Sequence, residues 1–177
     1  AKAQGGHSST PPKQTAVTIL ADALIKLEKE PLPGSLEGLS AVMFDGVSKH
    51  MPFGYRFLFA NRWLFGGPLE SLMSATPVIN AMIRTTTAPT MLQGSIKSNV
   101  LPIEATALIN FRLHPRDSIE SVTEHVRNVV ESEQVEVRLL GGMEASGISE
   151  WQSPGYEIIT ASLNKVYGEI VVVPGIM

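Results

Sequence analysis

"TTTAPTMLQGSIKSNVLPIEATALINFRL", residues 85–113, decides the fold. Its first part, "TTTAPTMLQGSIK", reads as a strand, "SNVLP" as a turn and "IEATALINFRL" as a second strand. In the second strand Ile103, Ala105, Ala107, Ile109, Phe111 and Leu113 share one face, while Asn110 and Arg112 fall on the other. Two strands joined this closely form an antiparallel pair with one face toward a core.

Working outward, the period lengthens on both sides. Downstream, "HPRDSIESVTEHVRNVVES" (114–132) predicts a helix. Asp117 and Glu120 stand at capping-box spacing, and Ile119, Val122, Val126 and Val129 supply the buried stripe. "VEVRLL" (135–140) then reads as a strand. Upstream, Thr10 is placed as an N-cap with Pro11 at the first helical position. Val17, Leu20, Leu24 and Leu27 follow at helical spacing until "EPLPG" ends the run. Residues 1–5 read as a strand closing in a glycine turn. The resulting order is β-α-β-β-α-β: an α+β, ferredoxin-like sandwich with a four-stranded antiparallel sheet and two helices on one face. It spans residues 1–141.

Residues 31–85 interrupt this order. They are rich in Phe, Met, Leu and Pro, and predict short helices near 38–48, 53–64, 68–75 and 77–83. Phe53, Tyr55, Phe57, Phe59, Trp63 and Phe65 crowd together there. They form either the core of a helical insertion or an apolar surface for a partner or an acyl substrate. Residues 142–177, with a helix over 154–167 and a strand over 169–173, exceed the motif and belong to a neighbouring unit. The start at Ala1 and the stop after an apolar run give the expectation of a part of a longer protein.

Composition narrows the function. Of the 177 residues, 44% are hydrophobic and 18% charged, enough apolar content for a core. A net charge of −3 with no basic block argues against nucleic acid, and no apolar run approaches the ~18 residues of a membrane span. There are no cysteines, which excludes disulfides and thiolate metal sites. The four histidines, His7, His50, His114 and His125, form no ligand-spaced pair. His125 flanks the helical stripe, and His50 and His114 are expected at the surface.

The remaining chemistry centres on "GGHSST" (5–10). Ser8 and Ser9 adjoin His7, but neighbours in an extended segment point apart, so a nucleophilic pair is not expected. The glycine-rich turn before a helix suits an anion, without the spacing of a phosphate loop. Topology is more informative. In a βαββαβ sheet the end of the first strand and the central hairpin share an edge, which brings His7 toward Asn99. An imidazole and a carboxamide on one rim suit a carbonyl oxygen. Arg112 lies elsewhere, ~40 Å from Asn99 along a straight strand at ~3.3 Å per residue. Its fork suits a carboxylate.

"GGHSSTPP", "IRTTTAPTMLQGSIKSNVLPIEATALINFRLHPRDSIESV" and "VVVPGIM" strongly resemble the zinc metallopeptidase family of carboxypeptidase S, aminoacylase and glutamate carboxypeptidase. "MPFGYRFLFANRWLF" is most similar to its carboxypeptidase S-like group. The resemblance maps to the lid, or dimerisation, domain, and implies a homodimer acting on dipeptides or N-acyl amino acids. It implies that His7 stabilises the oxyanion in the partner subunit's active site, that Asn99 binds substrate there and that Arg112 holds a substrate carboxylate. The two zinc ions, their ligands and the catalytic glutamate are implied in a separate catalytic domain, with no zinc bound by this chain. If His7 and Asn99 serve one active site, Arg112 of the same chain serves the other. The competing reading is a non-catalytic ferredoxin-like module that dimerises or binds a small ligand.

Overall fold

The computed structural model describes residues 1–176. In chain order the elements are β1 (Gly6–His7), α1 (Ala16–Lys29), α2 (Gly38–Ser48), α3 (Phe53–Ala60), α4 (Arg62–Ser74) and α5 (Pro77–Ala81). There follow β2 (Thr86–Gln93), β3 (Val100–Leu101), β4 (Thr106–Arg112), α6 (Ile119–Val130) and α7 (Pro154–Tyr167). The chain is α+β. It divides into two compact units, one of Ala1–Leu32 with Thr85–Ala145, the other of Pro33–Arg84 with the segment from Ser146 on.

In the first unit the expected hairpin is present. β2 and β4 pair antiparallel from Thr86↔Arg112 to Gln93↔Thr106, with an irregularity between Pro89 and Met91. Proline has no N–H to give the ladder, which accounts for the shift there. The single four-stranded sheet is not formed as a continuous ladder. β1 pairs with β3 in a separate two-stranded piece, Gly6↔Leu101 and His7↔Val100. Pairing of the same two segments continues as a bridge at Lys2↔Glu104 and as a bond from Ala3 N–H to the Ile103 carbonyl at 3.1 Å. The first strand thus runs on past the expected 1–5 to include His7. "VEVRLL" forms no regular strand. Lys2 N–H donates to the Gln134 carbonyl just before it at 3.0 Å, while Val135 and Val137 pack on the core.

That core joins Ala23 and Leu27 of α1 to Val126 and Val130 of α6, against Ile109 and Phe111 of β4. Two helices therefore cover one face of the strand, as its alternation predicts. The details differ from the sequence reading in three places. α1 begins at an N-cap Thr15, whose hydroxyl accepts from Thr18 N–H while Thr18 returns the bond. Pro11 cannot open the helix because Pro12 follows it, and a residue before proline avoids the helical region. The buried stripe is accordingly Ala16, Ile19, Ala23 and Leu27, with Val17 exposed. α6 is capped by Ser118 with Ser121, not by Asp117 with Glu120, because the Asp117 carboxylate accepts from the Thr85 hydroxyl. The buried residues of α6 are Val122, Val126 and Val130.

The second unit is helical. α2 keeps its predicted bounds, but the expected helix over 53–64 is broken at Asn61, whose side chain donates to the Phe57 carbonyl. α4 then runs on through Pro68 to Ser74. Phe59, Leu69, Met73 and Ile83 make the core. Arg84 ties it to α4 by an ion pair with Glu70 at 2.9 Å, and Glu70 also accepts from Gly34 N–H. α7 has its predicted bounds and a Ser153 N-cap, whereas no strand forms over 169–173.

Candidate functional site

His7 ends β1, opposite Val100, and the next residue closes the approach of two loops: Ser8 N–H donates to the Asn99 carbonyl at 3.1 Å. Asn99 is carried there by a short loop that Ser95 ties. The Ser95 hydroxyl donates to the Lys97 carbonyl at 2.9 Å and accepts from Lys97 N–H at 3.2 Å. Both His7 and Asn99 are exposed, so the two polar side chains stand on an open rim.

The chain turns immediately after His7, and Thr10 N–H donates to the His7 carbonyl at 3.3 Å. This turn brings Ser9 back onto the imidazole. Ser9 N–H donates to His7 Nδ1 at 3.2 Å, and Ser9 Oγ lies 2.8 Å from the same nitrogen. A backbone N–H is only ever a donor, so Nδ1 is the acceptor of the neutral ring and the proton sits on Nε2. The imidazole therefore presents one N–H outward. Sequence reasoning had set Ser9 aside on the premise of an extended segment. A hydroxyl residue two positions past a turn residue was the available signal. The pair is no nucleophile–base system, since no carboxylate orients the ring among the described residues.

Arg112 is not part of this rim. It is exposed at the last position of β4 opposite Thr86, the end of the hairpin ladder where β2 begins, whereas Asn99 follows the end where β2 finishes. Beside it His114, expected at the surface, is buried at 7% exposure. Its backbone N–H donates to Thr85 Oγ1 at 2.8 Å, the same hydroxyl that donates to Asp117. Burial holds the His114 pKa below the usual histidine value, the nearby Arg116 lowers it further and Asp117 opposes the shift. His125 Nε2–H donates to the Glu30 carbonyl at 2.9 Å, joining α6 to the end of α1. His50 is exposed.

A groove of about 110 Å³ between α1 and the end of α6 is lined by Asp22, Lys26 and Glu131 among others, and holds none of the three candidates. Among the described residues no group of three or more His, Asp or Glu side chains could hold a metal ion.

The model of the peptidase dimerisation domain matches residues 1–138. An N-fatty-acyl-amino acid synthase/hydrolase PM20D1 of Xenopus tropicalis is 38% identical over 173 residues, covering 97% of this chain and 34% of that protein. A probable carboxypeptidase S-like 2 of Dictyostelium discoideum is 36% identical, covering 98% of this chain and 33% of its own length. Carboxypeptidase S of Saccharomyces cerevisiae is 25% identical over 81% of this chain and 26% of its own. The chain spans about a third of the length of the curated relatives it matches most fully. No solved structure matches it.

Proposed function

Because the chain belongs to the peptidase dimerisation domain family, we propose that it is the lid of a zinc-dependent hydrolase. The parent enzyme cleaves the amide bond of N-acyl amino acids or dipeptides next to a free carboxylate. The lid comprises residues 1–141 with 31–85 inserted, and 142–177 lead back toward the catalytic domain. Its architecture is ferredoxin-like, with segments near 134–138, 1–7, 100–112 and 86–93 side by side in that order. The bonds from Lys2 to Gln134 and between Lys2 and Glu104 support this order.

In this reading the lid pairs with a second copy through a sheet edge and a helix. His7 donates its Nε2–H to the oxyanion of the tetrahedral intermediate, Asn99 binds the substrate beside it and Arg112 holds a carboxylate. The two zinc ions and their ligands belong to the parent's catalytic domain, outside this chain. The observation that carries the proposal is the His7–Ser9 pair at 3.2 Å on a rim shared with Asn99. A fixed outward N–H is what stabilisation of developing negative charge requires.

The test is hydrolysis of N-acyl amino acids and dipeptides by the full-length parent, with and without a zinc chelator. Activity abolished by chelation is expected. Zinc binding without turnover of any substrate would remove the hydrolase reading, and a parent that binds no zinc would leave a non-catalytic dimerising or ligand-binding module.

A further inference from the structure

Arg112, the proposed holder of the substrate carboxylate, is exposed on the last rung of the hairpin ladder, opposite Thr86. Ladder ends fray, so a side chain aimed from the last rung needs a second hold on its backbone. An arginine fork grips a carboxylate through two parallel bonds, and both donors move together when the base of the side chain shifts.

That hold lies one residue before Thr86. Thr85 is 1% exposed, and its hydroxyl is used in both directions. It accepts from His114 N–H at 2.8 Å and donates to the Asp117 carboxylate. Between those two contacts the chain reverses: Asp117 N–H donates to the His114 carbonyl at 2.9 Å, and Arg116 N–H donates to His114 Nδ1 at 3.4 Å. One buried hydroxyl at the start of β2 thus pins the turn that follows β4. Arg112 stands two residues before His114 and opposite the neighbour of Thr85, so the rung and the pin fix its backbone together. Valine would give the same shape without the oxygen. A buried hydroxyl is costly unless it is bonded, and this one is bonded where it holds the residue that follows the end of the ladder.

We propose that Thr85 is a positioning residue: with Asp117 it sets the place of Arg112 and so the grip on the substrate carboxylate. The proposal rests on the hydrolase reading with Arg112 as its carboxylate holder, and deepens it. Without the hydroxyl, the buried His114 N–H loses that acceptor and the end of β4 shifts to find another.

The experiment is steady-state kinetics of the full-length parent on the N-acyl amino acid or dipeptide that it turns over fastest. The same compound with a carboxamide in place of the carboxylate serves as second substrate or competing inhibitor. Thr85→Val is expected to raise KM for the carboxylate by about tenfold, the loss of one charge-assisted bond, with kcat within about twofold. Thr85→Ser should restore KM, the carboxamide should bind both proteins alike, and Thr85→Val added to Arg112→Ala should raise KM no further. Where Thr85→Val does not fold, Asp117→Asn weakens the second bond at unchanged shape and should move KM in the same direction. A rise shared by the carboxamide, or added on top of Arg112→Ala, overturns the proposal in favour of a packing role. A raised KM in Arg112→Ala with none in Thr85→Val rejects Thr85 alone. An unchanged KM in Arg112→Ala rejects its carboxylate role and the proposal with it, and a parent that turns over no such substrate rejects the hydrolase reading and the proposal together.

Discussion

Ser9 holds His7: its N–H reaches Nδ1 at 3.2 Å and its Oγ lies 2.8 Å from the same atom. In this contact Nδ1 accepts, which leaves Nε2 as the ring nitrogen that can donate. Under the proposed function, loss of His7 removes the oxyanion's donor, and Ser9→Ala only loosens that donor's orientation. We expect His7→Ala to lower kcat of the parent by about 10²–10³, the range for an oxyanion donor. Ser9→Ala is expected to lower it by roughly fivefold, one ordinary hydrogen bond. Steady-state kinetics on an N-acyl amino acid checks both, and equal losses would place Ser9 in the chemistry itself.

Arg112 and Asn99 stand at opposite ends of the hairpin, and this predicts a complementation. In a two-fold dimer, His7 of one subunit and Arg112 of the other would complete one site. Mixing His7→Ala with Arg112→Ala parents should then restore one intact site in each mixed dimer. An equal mixture should recover about a quarter of wild-type activity, since half the dimers are mixed and half their sites intact. If each mixture stays as inactive as its components, all three residues serve a single site within one chain's set.

His114 makes stability depend on pH. Its pKa is held down in the folded chain, first by burial and then by Arg116. Below the ordinary histidine value of ~6.5 the unfolded chain takes up a proton that the folded chain resists, so stability falls as pH drops through that value. Above it the group contributes no pH dependence. Thermal unfolding of the parent between pH 7.5 and 5 should show a falling midpoint, and His114→Gln should flatten it. An unchanged slope in that variant would assign the dependence to other groups.

Much of this was legible in the sequence and some was not, for reasons that lie in particular residues. α7 kept its predicted bounds because its start carries a local signal, a Ser-Pro cap; α2 kept its bounds without a side-chain cap. The hairpin and its buried face followed from alternation alone. The start of α1 moved to Thr15 because two prolines in a row act together where each was read singly. His114 looked like a surface residue because its partners, Thr85 and Asp117, are distant or differently employed in sequence. At the rim, the approach of His7 to Asn99 was a consequence of topology and could be expected. The bond from Ser9 depended on a turn that a strand reading excludes.

Thr85 is the centre of a second local prediction. It is 1% exposed, accepts from His114 N–H and donates to Asp117. Thr85→Val keeps the shape and removes both bonds, leaving a buried N–H and a carboxylate oxygen without that partner. A cost of about 2–3 kcal/mol is expected in denaturant unfolding of the parent, with Thr85→Ser recovering most of it. Equal losses in the two variants would attribute the effect to packing.

Phe59 and Phe53 belong to one helix and should behave in opposite ways. Phe59 is buried and stacks on Phe44, with ring centroids 5.8 Å apart at an interplanar angle of 13°. Its truncation leaves a cavity beside Leu69, Met73 and Ile83. Phe59→Ala is therefore expected to cost about 3–5 kcal/mol. Phe53→Ser removes only exposed ring surface and should change stability by about 0.5 kcal/mol or less. Denaturant titration of both proteins separates the packing role of the aromatic segment from its surface role. A large loss from Phe53→Ser would mean that this ring, 78% exposed, still packs as part of the fold.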